Sequence, residues 1–157
     1  MNRHSFHLLI VAVLLAADQI TKFLVANIIE VHSRVTIIPG VFSLVHVRNR
    51  GAIFGFFSGA EKPAVFILLT GASFAALGLV IFYFIRTPKS EKAMKSALSL
   101  ILAGALGNLI DRLLRGYVID FLDFSFKGWH WPSFNVADSC ITVGALVLVG
   151  VFLFKRG

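Results

Sequence analysis

The 157 residues are 57% hydrophobic and only 15% charged, with a mean hydropathy of +0.85, a balance that excludes an ordinary soluble domain and assigns the chain to a bilayer. A net charge of +7 would suggest nucleic acid for a soluble protein, but in a membrane chain the placement of basic residues carries the information, so no nucleic-acid partner is expected. The lone Cys140 excludes an internal disulfide and a cysteine metal cluster.

Crossing a hydrocarbon core takes about 20 helical residues, and four apolar stretches qualify, at 6–28, 63–85, 96–117 and 138–154. The segments between them are too short for a second globular unit. The expected fold is an all-α membrane protein with four transmembrane helices and a small extracytoplasmic β element, one domain over 1–157. The first stretch, with Arg3 ahead of it and Asp18 after an apolar core, has some features of a cleavable signal peptide. Its hydrophobic pattern resumes after Lys22 and reaches Ile29, which suits a span holding two polar residues. Asp18 and Lys22 stand at i, i+4 with the acid first, the favourable order for a helical ion pair.

Residues 34–48 follow, with two β-rich runs around Pro39-Gly40, and read as a hairpin outside the membrane. After the second span come Arg86, Lys89, Lys92 and Lys95. With Arg3, Lys155 and Arg156 they make seven basic residues on one side, against Arg34, Arg48, Arg50, Lys62 and Lys127 on the other. The positive-inside rule then puts both termini in the cytoplasm. The third span carries GALGNLIDR, in which Gly104, Asn108 and Arg112 recur every four residues and share a stripe beside Gly107 and Asp111. That stripe suits close helix packing, and Arg112 suits the holding of a peptide carbonyl or a carboxylate. An aromatic-rich stretch, 121–134, turns at Lys127-Gly128. Phe124, Phe126, Trp129 and Trp131 give it the character of a membrane-interface segment, able to pair with the first hairpin.

Ionisable residues at membrane depth are costly and point to function. Asp120, after the third span in YVIDF, and Asp138, opening the fourth in FNVADS, fall on the same face by topology. So short a connection makes their spans neighbours. Two carboxylates in a poorly hydrated site hold one proton between them, which supplies a base and an acid for hydrolysis of an amide. Asp138 equally suits the first turn of a helix, with Asn135 as its N-cap, and Asp120 suits a solvated position at headgroup level. No H-E-x-x-H or G-x-S-x-G is present, and His4, His7, His32, His46 and His130 lack ligand spacing, so neither metal nor cofactor is expected.

In order along the chain, Asp18-Gln19-Ile20-Thr21-Lys22, Asn49-Arg50-Gly51-Ala52-Ile53-Phe54-Gly55, GALGNLIDR, VIDF and FNVADS resemble the motifs of the lipoprotein signal peptidases, or signal peptidase II. The resemblance implies catalytic roles for Asp120 and Asp138. It implies that Asn49, Gly51, Gly104, Asn108, Arg112, Asn135 and Ala137 line or brace a substrate site, and that Asp18, Lys22 and Asp111 support it. Ile53 departs from the small residue usual there. The implied activity is that of an aspartic endopeptidase that cuts the signal peptide from a prolipoprotein before its diacylglyceryl-cysteine. The implied setting is the bacterial cytoplasmic (inner) membrane, among lipids, as a monomer with its active site at the extracytoplasmic face. Two other classes compete. A small proton-coupled transporter would relay protons through Asp18, Asp111, Asp120 and Asp138, and a non-catalytic assembly partner would use the Gly104 stripe.

Overall fold

The computed structural model describes residues 3–51 and 63–154. In chain order these form α1 (Arg3–Ile28), β1 (Arg34–Ile38), β2 (Phe42–Asn49), α2 (Pro63–Arg86), α3 (Lys92–Arg115), β3 (Val118–Phe126), β4 (Trp129–His130) and α4 (Val136–Phe154). All four helices are long and apolar enough to cross a membrane, and the strands make one small antiparallel sheet at a single end of them, so the expected fold class holds. Ile53 and its motif neighbours Ala52, Phe54 and Gly55, and also Lys62, lie outside the described residues.

The helix α3 is the centre. Its most apolar stretch is 56% buried, against 6% for α2, because α1, α2 and α4 all pack on it. Val11, Leu77, Leu102, Ala103 and Leu109 make the apolar core of α1, α2 and α3. The approach of α3 to α4 is closer and rests on missing side chains. A Cβ at Gly104 would run into the Ala137 carbonyl and Ile141, one at Gly107 would sit 2.5 Å from Asp18 Oδ2, and one at Gly144 would sit 2.6 Å from Ile101 Cγ1. Between apolar helices in lipid, such small-residue contacts supply the association that water supplies elsewhere.

The third helix stops at Arg115, earlier than the expected 117, because Gly116 turns left-handed (φ 75°) and returns its N–H to the Arg112 carbonyl. That stop releases Val118, three residues before the expected strand, to start β3. The β-branched pair Val118-Ile119 then pairs with β2 in the register Val47↔Asp120 and Asn49↔Val118. Asp120 is therefore a strand residue, in place of a solvated one trailing a helix. Strand order is β1-β2-β3-β4. The last hairpin turns on Lys127 (φ 50°) and Gly128 (φ 83°), with Phe126 opposite Trp129, the positive pair of φ values that a two-residue type I′ turn requires. Asp123 holds three strands together, through Arg34 of β1 at 2.5 Å and His130 of β4 at 3.1 Å. Val25, Ile29, Ile119 and Phe121 seal the sheet against the end of α1.

Candidate active site

The start of α4 organises the site. Asn135, fully buried, accepts the Asp138 N–H on its side-chain oxygen at 2.9 Å and donates its own N–H to Asp138 Oδ2 at 3.2 Å. This reciprocal arrangement is that of a capping box, with Asp in the acidic position. The Asn135 side-chain amide is left to donate to Asp120 Oδ1 at 2.8 Å, so one asparagine touches both acids. Asn49 completes the surroundings of Asp120 by donating to Oδ2 at 2.9 Å. Its own oxygen is held by the Gly51 N–H at 2.9 Å, where the backbone φ of 127° favours glycine. Asn108 donates to Asp138 Oδ1 at 2.7 Å. Each acid thus receives two N–H donors, one on each oxygen.

Behind this layer lies a second, built on Lys22. Its ammonium has three donors and three acceptors: Asp18 at 2.8 Å, Asp111 at 2.9 Å and the Asn108 side-chain oxygen at 3.0 Å. Lys22, Asp18 and Asp111 are at most 1% exposed. Because Lys22 claims the Asn108 oxygen, the amide nitrogen must face Asp138. Asp18 accepts the Ala137 N–H at 2.9 Å, filling another open donor of the α4 terminus. Arg115, four residues after Asp111, pairs with it and also donates to Gln19 at 3.5 Å. Two acids and two bases make up this layer, so its formal charge sums to zero.

Both Asp120 and Asp138 line one cavity of about 520 Å³, together with Asn49, Trp131, Phe134 and Ser139. Asp120 is 3% exposed. Burial, and then the neighbouring Asp138 charge, push its carboxyl up to about 7, against the opposing hydrogen bonds from Asn49 and Asn135. Such a carboxyl is half-protonated near neutrality, the condition a general acid or base needs.

The structure thus brings together Asn49, Asn108, Asp120, Asn135 and Asp138, with Gly51 behind Asn49. Gly104 and Ala137 meet each other as packing surfaces, and Asp18, Lys22 and Asp111 stand behind as a brace. Arg112 donates to Ser73 of α2 at 3.3 Å and, among the described residues, makes no close ion pair, while its charge still acts on Asp138 and Asp120 across the site. Gln19 and Arg115 were missed as partners. Arg115 could have been found from its i, i+4 spacing after Asp111, while the approach of Ser73 to Arg112 depends on how α2 packs and leaves no local signal. Among the described residues no group of three or more His, Cys, Asp or Glu stands ready to hold a metal ion.

The model of the family described as signal peptidase (SPase) II matches residues 10–154. The chain belongs to the signal peptidase II family. A lipoprotein signal peptidase of Syntrophus aciditrophicus is 44% identical over 149 residues, 95% of this chain and 92% of the relative. One from Desulforapulum autotrophicum is 42% identical over 94% of this chain and 91% of the relative. A bacterial membrane enzyme solved by the in meso method at 2.3 Å resolution is 31% identical and superposes with a TM-score of 0.85, covering 98% of this chain and 90% of the other. Members of signal peptidase II are peptidases, and the four apolar helices fit a multi-pass membrane protein of bacterial type.

Proposed function

We propose that this chain is an intramembrane aspartyl endopeptidase that removes the signal peptide from diacylglyceryl-modified prolipoproteins by cutting before the lipidated cysteine. The single observation that carries the reading is the pair of acids, Asp120 from a strand and Asp138 from a helix, facing one cavity and joined through Asn135. The relatives' names support a lipoprotein substrate. A transporter is not favoured, since those relatives carry peptidase names.

In the proposed reaction Asp138 is the ionised member. It sits in the first turn of α4, where the helix dipole favours an anion, and Lys22 stands behind its partner Asn108. Asp120 holds the shared proton. Asp138 takes a proton from water as the water oxygen bonds to the scissile carbonyl carbon, and Asp120 hydrogen-bonds the carbonyl oxygen. The C–N bond then breaks, the proton on Asp138 passes to the leaving amine, and the new carboxyl remains on the signal peptide. Asn49, Asn108 and Asn135 orient the acids, and Arg112, on the same α3 stripe, contacts the substrate backbone. All of 1–157 acts as one domain and as a monomer.

The sheet end faces the outside in this reading. Arg86, Lys89, Lys92 and Lys95 gather at the opposite end, which supports cytoplasmic termini. Phe126, Trp129 and Trp131 on the sheet are exposed, as suits a surface resting among headgroups.

The test is cleavage of a lipidated prolipoprotein by D120N and D138N. Each is expected to lower kcat by at least about a thousandfold while helical content and membrane insertion stay as in the parent chain. Retained cleavage in both variants would sink the mechanism.

A further inference from the structure

Strand β2 breaks its own alternation. Half-buried and buried residues take turns from Phe42 to Leu44, and then Val45 and His46 are buried in succession. The ladder explains the break: Leu44 lies opposite Leu122 and Val47 opposite Asp120, so two residues of β2, Val45 and His46, face the single Phe121 of β3. This is a β-bulge, whose extra residue switches the side-chain phase of the strand beyond it. Before the bulge Phe42 and Leu44 share a face with Phe124 and Leu122, and the Phe42 and Phe124 ring centroids lie 4.8 Å apart. After it Val47 and Asn49 take that face, and Asn49 reaches Asp120. Unbroken alternation from Leu44 would put His46 opposite Asp120 and turn Asn49 away from it.

The extra residue is pinned from outside the ladder. The His46 carbonyl accepts the His32 N–H at 2.9 Å, and the His46 N–H donates to the Ser33 carbonyl at 3.3 Å, so its backbone bonds to the turn after α1. The residue is 1% exposed, and its ring nitrogen Nδ1 lies 2.8 Å from the carbonyl of Ile29, next in the chain after α1, where a helix leaves carbonyls open. A carbonyl only accepts, so Nδ1 carries the hydrogen. Nε2 is then a buried acceptor, and among the described residues it has no partner. An unmet acceptor costs free energy, and leucine would fill comparable space without one. The position therefore uses the ring for its Nδ1–H. At that atom β2, which carries Asn49, is tied to α1, whose Asp18 and Lys22 stand behind the acids.

We propose that His46 is a positioning residue: its bond to the end of α1 holds the bulge in β2, and the bulge holds Asn49 on Asp120. The assignment rests on the peptidase reading above and adds to it the device that sets the phase of the sheet at the acids. His46 does not line the cavity of the acids, so it acts through Asn49.

The experiment uses the full chain in detergent and a diacylglyceryl-modified lipobox peptide, with kcat and KM followed against pH for the parent, H46N, H46Q, H46L, N49L and H46L/N49L. Asparagine puts its amide nitrogen near the place of Nδ1 and drops the orphan, whereas the glutamine amide falls at Nε2, where no partner stands. H46N is expected to stay within about twofold of the parent in kcat. H46Q and H46L should each lose about tenfold or more in kcat with little change in KM. Their alkaline limb should move to higher pH, as in N49L, because Asn49 no longer favours the ionised form of Asp120. Adding H46L to N49L should then cost little further. A lower melting temperature in H46L with the limb unmoved would make His46 a brace only, and losses that multiply in the double variant would show that it does not act through Asn49; either overturns the assignment. Should H46L fail to fold, H46N against H46Q decides the matter, and equal rates for the two overturn it as well. A parent chain that leaves the peptide uncut removes the peptidase reading and the assignment together, whereas failure of the assignment alone leaves a parent that cuts.

Discussion

Asn135 and Asp138 hold each other through two hydrogen bonds, backbone N–H to side chain in both directions, and the first of them has a hand left for Asp120. A helix cap and a paired-acid site are therefore one object. Rotating Asp138 breaks the bond its carboxylate accepts from the Asn135 N–H, and rotating Asp120 breaks the one it accepts from the Asn135 amide, so the residue that caps α4 also orients both acids.

It follows that N135A should lose both stability and rate. Removing the cap bond costs about 0.5 to 2 kcal/mol, and Asp120 loses one of its two donors. The expected outcome is a destabilised protein whose kcat falls by more than its KM rises, read from thermal unfolding in detergent and from steady-state kinetics. Unchanged kcat would mean that the bridge does not orient the acids.

The pH dependence follows from the raised carboxyl of Asp120. Activity that needs one proton on the pair should decline as pH rises through about 7. Asn49 stabilises the ionised form, so N49L should raise the affinity of Asp120 for its proton and move the alkaline limb to higher pH. For stability the sign is the same. A carboxyl whose folded value lies above its unfolded one contributes stability that is complete below the ordinary carboxylate range and is lost as pH rises through about 7. Melting temperatures between pH 5 and pH 8 should fall more in the parent chain than in D120N.

Lys22 is held by two acids and an amide in a layer that excludes water. K22M leaves Asp18 and Asp111 buried with only Arg115 to balance them, and should destabilise by about 3 to 5 kcal/mol. Adding D18N removes one of the orphaned charges and should recover part of the loss. Additive losses in the double variant would contradict the network.

Among the glycines, the α3–α4 contact separates two classes. G104A should destabilise by about 1 to 3 kcal/mol, since its Cβ would meet the Ala137 backbone. G71A on α2, with open space around it, should stay within about 1 kcal/mol of the parent. Chemical unfolding of the two variants side by side is the measurement.

The four spans were legible because length and hydropathy alone decide them, and the motifs around Asp18, Asp111, Asp120 and Asp138 stood out because charge is rare in such segments. What the sequence hid was the local setting of Asp120. Its neighbours Val118, Ile119 and Phe121 are as apolar as a helix end, and only the stop at Gly116 and the ladder with β2 turn them into a strand. Asn49 reaches Asp120 across that ladder, a contact of two segments 71 positions apart. The division of labour along the Gly104 stripe was hidden too. Gly104 and Asn108 face α4 and Arg112 faces Ser73, which periodicity cannot tell apart because helical spacing fixes relative direction and not the neighbour met.

The three-way hold on Lys22 also sets an order for biogenesis. Ribosomes deliver α1 first, while Asp111 and Asn108 are still about 90 residues from emergence on the same strand of nascent protein. During that interval only the i, i+4 bond to Asp18 neutralises the ammonium. Until α3 is made, the opening helix holds one of the three partners of its ammonium and lacks the other two. That dependence makes helix docking, rather than insertion of any one helix, the step at which this protein commits to its final form.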